Sequence, residues 1–90
     1  MGGLRSAAHT GILTHMERGP LMHILQEMKG STKELDLLML GESEPVQINN
    51  VVDVEELKSS HGLKITTKQN YIWLDASHVS ACYQARTDLP

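Results

Sequence analysis

The sequence predicts an α+β domain: one N-terminal helix followed by a small, strongly bent, five-stranded antiparallel sheet or barrel. Three observations predict it. Helical apolar spacing occurs once, between residues 20 and 29. From Glu34 onward the spacing changes to the period of two that marks strands. Turn-forming clusters, "GESEP", "KSSHG" and "KQN", punctuate the alternating runs.

Taken in order, Gly19-Pro20 opens the helix, since proline is tolerated at a first helical position, where its missing N–H has no intrahelical partner. Leu21, Ile24, Leu25 and Met28 fall at i, i+3, i+4 and i+7 and make one apolar stripe. Gly30 is the stop signal. Glu34 to Leu40 alternates and then runs apolar, as a strand entering a buried layer does, and Gly41 to Pro45 is a turn. Residues 46–57 read as one long bent strand, or two short ones, with Asn49-Asn50 as the bulge or bend. A single helical turn over 51–58 competes with that reading. Gly62, free to take positive φ, closes the next turn. Leu63–Lys68 and Tyr71–Leu74 form a hairpin. Asp75 to His78 is a tight or 3-10 turn with Asp75 as cap. Val79, Ala81 and Tyr83 then form the inward face of a last strand, against a competing short helix over 76–86. Trp73 and Tyr83 are expected in the core. Residues 1–15 read as a flexible arm, 16–86 as the single domain and 87–90 as a loose tail.

Composition narrows the function classes. A chain of 90 residues buries a modest core, and this one has no Phe and only 3% aromatic residues. Aliphatic cores of this size gain burial by oligomerising, so a homo-oligomer is expected, with Leu21, Ile24, Leu25 and Met28 and the strand edges as assembly surfaces. The single Cys allows no disulfide within the chain and points to a reducing compartment, expected to be the cytoplasm, or to a buried thiol. No apolar run reaches the roughly 18 residues of a membrane span. Gly2 and Ser6 fit the loose N-myristoylation pattern, but the pattern is short and chance is the better explanation. The net charge is −3, and the acids Glu34, Asp36, Glu42, Glu44, Asp53, Glu55 and Glu56 occupy a stretch without Lys or Arg. They read as a solvated face, and they repel phosphate where a nucleic-acid binder shows a basic footprint.

The plan of helix, strand, long bent strand, hairpin, tight turn and short strand resembles that of the Sm-like family, including its bacterial RNA chaperones, over about residues 20–84. Its local counterpart is "YIWLDASHVSA". The resemblance implies an SH3- or Sm-like barrel, assembly into rings, and RNA contact from an aromatic, a basic residue and a His before the last strand. Trp73 matches the aromatic; Leu74 and Asp75 stand where the basic residue and the His would be. His78 is displaced, and Asn49-Asn50 replaces the family's glycine in the bent strand.

Chemistry-bearing residues gather in the same stretch: Asp75, Ser77, His78, Ser80 and Cys82. On a strand, His78, Ser80 and Cys82 share a face but stand roughly 7 Å apart, too far to form a nucleophile–base pair. On a helix, His78 and Cys82 would meet at i, i+4. No nucleophile-elbow motif accompanies them. His9, His15, His23, His61 and His78 show no zinc-site spacing, and no phosphate-binding glycine loop is present. The expectation is therefore a non-enzymatic interaction module without metal or cofactor. The alternative is a nucleic-acid binder using Lys64, Lys68, Tyr71, Trp73 and His78, because stacking rings beside positive charge are how single strands are held.

Overall fold

The computed structural model describes residues 16–86; the expected arm, the myristoylation pattern, His9, His15 and the tail from residue 87 lie outside the described residues. A helix, α1 (Arg18–Glu27), precedes six antiparallel strands: β1 (Glu34–Met39), β2 (Val46–Asn49), β3 (Val51–Glu56), β4 (Gly62–Thr67), β5 (Tyr71–Asp75) and β6 (Val79–Tyr83). A 3-10 turn, Ala76–His78, joins β5 to β6. The strands form two three-stranded sheets, ordered β2-β1-β6 and β3-β4-β5.

The count is six strands rather than five, and the sheets do not close into a barrel. The cause lies at Asn50, whose φ is +54°. Asn tolerates the left-handed region because its short polar side chain can bond locally. The residue turns the predicted bent strand through a corner, so β2 pairs with β1 while β3 pairs with β4. The helical alternatives over 51–58 and 76–86 give way to β3 and β6.

The helix begins two residues earlier than Pro20 because Arg18 is anchored. Its guanidinium donates to the carbonyls of Leu57, Ser59 and Gly62 in the β3–β4 turn and lies 3.4 Å from the Glu56 carboxylate. Pro20 still falls in the first turn, where it removes no helical hydrogen bond. At the other end Gly30 takes φ +77° as expected, and its N–H reaches the Val51 carbonyl at 3.1 Å. Leu21, Leu25 and Met28 are fully buried and Ile24 is half-buried. The stripe therefore packs against the chain's own strands, chiefly β3, and three of its four residues offer no surface to a partner.

Gly62 is not in the positive-φ region. It is glycine for space: a Cβ there would collide with the Ser59 hydroxyl and meet Leu57 side-chain atoms at 3.0 and 3.2 Å. The Ser59 hydroxyl in turn accepts the Gly62 N–H at 3.1 Å, and this fixes the turn.

The core is wholly aliphatic: Leu21, Leu25, Met28, Leu35, Leu37, Ile48, Val51, Val54, Leu63, Ile65, Ala76 and Val79. Trp73 and Tyr83 are not in it; they are 62% and 51% exposed. Strand parity explains both. In β5, Ile72 and Leu74 face inward opposite Ile65 and Leu63, which turns Tyr71 and Trp73 outward. In β6, Val79 opposes Met39 and Ala81 opposes Leu38, leaving Ser80 as a bulge. The extra residue reverses the alternation, so half-buried Cys82 follows Val79 inward and Tyr83 points out.

Candidate interaction face

The outer face of β3-β4-β5 is built in cross-strand rows. Glu55 of β3 stands opposite Lys64 of β4, which stands opposite Trp73 of β5. In the next row Asp53, Thr66 and Tyr71 are aligned. A bulge at Val52 leaves that valine 49% exposed beside them. The Tyr71 and Trp73 rings lie 6.1 Å apart between centroids, inclined at 38°. The Lys64 ammonium sits over both, 4.7 Å from the Tyr71 centroid and 5.6 Å from that of Trp73. Both distances are within the range over which a ring face attracts a cation. The same ammonium is 3.9 Å from the Glu55 carboxylate, and Asp53 pairs with Lys29 at 3.3 Å. The face is aromatic on β5 and of mixed charge on β4 and β3.

Of the five residues proposed for nucleic acid, the fold brings three together: Lys64, Tyr71 and Trp73. Lys68 and His78 stand at opposite ends of β5, Lys68 in the β4–β5 turn and His78 in the 3-10 turn. The Lys68 N–H donates to the Asn50 carbonyl at 3.1 Å, tying that turn to the corner of the bent strand. Sequence reasoning placed Glu55 among solvated acids and did not connect it with Lys64. Once Ile72 and Leu74 are taken as the inward pair, hairpin register alone sets Lys64 against Trp73.

The catalytic-looking letters have structural partners. Asp75 accepts hydrogen bonds from the Ser77 hydroxyl and, at 2.8 Å, from the Ser77 N–H, capping the 3-10 turn. These bonds, the side-chain bond foremost, hold the Asp75 carboxyl below its ordinary range, with His78 and His61 adding to the effect. The Ser80 hydroxyl donates to the Leu38 carbonyl at 3.0 Å. Burial raises the Cys82 thiol above its usual range, away from the thiolate that nucleophilic chemistry needs. Among the described residues no three His, Cys, Asp or Glu side chains converge as metal ligands. A depression of about 380 Å³ is lined by Met16, Arg18, Glu56 and His61, and its guanidinium is already engaged with the β3–β4 turn.

No helix among the described residues is long and apolar enough to cross a membrane. Comparison of the chain with protein-family models, curated proteins and solved structures finds no match.

Proposed function

We propose that this chain is a non-enzymatic interaction module that self-associates through the β5 and β6 side of the molecule. The observation that carries the reading is the exposure of Tyr71 and Trp73, 63% and 62%, on a strand that ends its sheet. Trp and Tyr concentrate at the centres of protein interfaces, where water exclusion makes them dominant. Strands β5 and β6 are consecutive in the chain and each is the last strand of a different sheet. Among the described residues no strand pairs with their outer edges, although Met16 N–H covers the start of β6 by donating to Val79 carbonyl at 2.6 Å. An open strand edge is a template for pairing with another chain. Two edges from one protomer suit head-to-tail contacts, which form a ring where the rotation between copies closes and a filament where it does not. Self-association would also cover apolar surface that a small aliphatic core leaves outside, including Leu40 and Tyr83.

Sedimentation velocity tests it. The expected species exceeds the 10.0 kDa of one chain, and Trp73→Lys with Tyr83→Lys returns it to monomer while circular dichroism stays unchanged.

A second reading, single-stranded nucleic-acid binding, is favoured by the Lys64–Tyr71–Trp73 grouping alone, since stacking rings beside a cation are its usual elements. The acids Glu55 and Asp53 on the same face and the net charge of −3 weigh against it. Binding of oligo(U) that weakens steeply with salt would favour it; no binding at low salt would remove it.

A further inference from the structure

The outer face of β3-β4-β5 carries its own occupant. The Lys64 ammonium reaches both rings of the Tyr71–Trp73 pair and lies beside the Glu55 carboxylate. The side chain is held there by its tether, because a free primary ammonium would surrender strong hydration to reach the same rings. Two electron-rich ring faces with a carboxylate nearby form a site for a monovalent cation. Glu55 and Asp53 stand on this face, Asp53 paired with Lys29 at 3.3 Å, and the chain carries net charge −3. Both rings are more than 60% exposed, which leaves room for a second group. A cation that replaces Lys64 must be weakly hydrated, and a methylated ammonium meets that condition.

We propose that Tyr71, Trp73 and Glu55 form a recognition site for a quaternary ammonium head group, with Lys64 as its tethered internal competitor. The site holds one head group on an open sheet, so its ligand is a small choline-like cation. Every residue in it belongs to one protomer; because Tyr71 and Trp73 also carry the proposed self-association, a bound head group and a second copy compete for the same rings.

Trp73 is the chain's only tryptophan and reports on the site directly. Its fluorescence in the full chain is followed during titration with tetramethylammonium chloride at constant ionic strength, and sedimentation is run in parallel to detect any change in assembly. The expected result is a saturable change. Lys64→Ser, on an outward face where folding is retained, tightens binding about fivefold, the scale of one exposed cation–ring contact. Glu55→Gln weakens it and Tyr71→Ala abolishes it. 3,3-Dimethylbutan-1-ol, the neutral isostere of choline, does not bind. Choline and a trimethyl-lysine amide form the second arm: equal affinity assigns recognition to the head group alone, and tighter binding of the amide extends the site along a side-chain stem. The proposal is overturned if Lys64→Ser shows no saturable response to tetramethylammonium, or if the neutral isostere binds as tightly as choline.

Discussion

The two sheets bury the same kind of residue and display different ones. Inside, both are aliphatic: Leu35, Leu37, Ile48 and Val79 from β2-β1-β6, and Val51, Val54, Leu63 and Ile65 from β3-β4-β5. Outside, β2-β1-β6 offers one ring, Tyr83, opposite Asp36, and a polar bond of 3.3 Å between Gln47 and Glu34. The other sheet sets two rings, a lysine and a glutamate side by side. The inner faces thus account for folding, and the outer face of β3-β4-β5 is where the sequence places large rings that folding does not require. Trp73, 62% exposed, gains well under half of the burial that stabilises a core Trp. Its contacts on that face are the Tyr71 ring and the Lys64 ammonium.

That contrast can be broken most forcefully from the inside. Ile65→Ala, between the two sheets, should lower stability by about 2–5 kcal/mol, the range for truncating a packed aliphatic side chain. Trp73→Ala, on the neighbouring strand and the other face, should cost less than about 1 kcal/mol in the monomer. Urea unfolding of both variants, monitored by circular dichroism, checks the pair. Equal losses would mean that Trp73 belongs to the core after all.

Arg18→Ala should come next, at about 1–3 kcal/mol. It removes a charged donor from three turn carbonyls, and hydrogen bonds to charged groups stabilise more than neutral ones. Its effect should appear as earlier amide exchange at the start of α1 and in the β3–β4 turn, with the β4–β5 hairpin unaffected.

How far the sequence revealed this arrangement depended on which signal decided each element. Helix α1 and the hairpin were legible because Leu21–Met28 and Leu63–Lys68 show unbroken periods. The bend at Asn49-Asn50 was legible as an interruption. What it does, sending β2 and β3 into separate sheets, was not, because it depends on one backbone angle at Asn50. The face of β6 was misread because the Ser80 bulge leaves no compositional trace and reverses every side chain beyond it. Trp73 lies on the outer face because parity decides it: Ile72 and Leu74 claim the inner face. Glu55 was hidden for a different reason. Its partner lies on another strand, and only cross-strand register joins them.

The smallest expected effect belongs to the 3-10 turn. The folded-state carboxyl of Asp75 titrates below its ordinary value of 3.8, so its stabilising contribution is complete above that value and is lost as pH falls through the lowered one. Asp75→Asn should therefore flatten the acid limb of the melting temperature and leave neutral pH nearly unchanged. A variant whose acid limb matches that of the parent would show that the Ser77 bonds do not hold the carboxylate.

Sedimentation equilibrium across a wide range of protein concentration bears most directly on the claim that the outer aromatic face and the strand edges exist for contact. The account predicts a mass above 10.0 kDa, reduced to that of one chain by Trp73→Lys with Tyr83→Lys while the fold persists. A 10.0 kDa monomer at every concentration, with or without those substitutions, would contradict it.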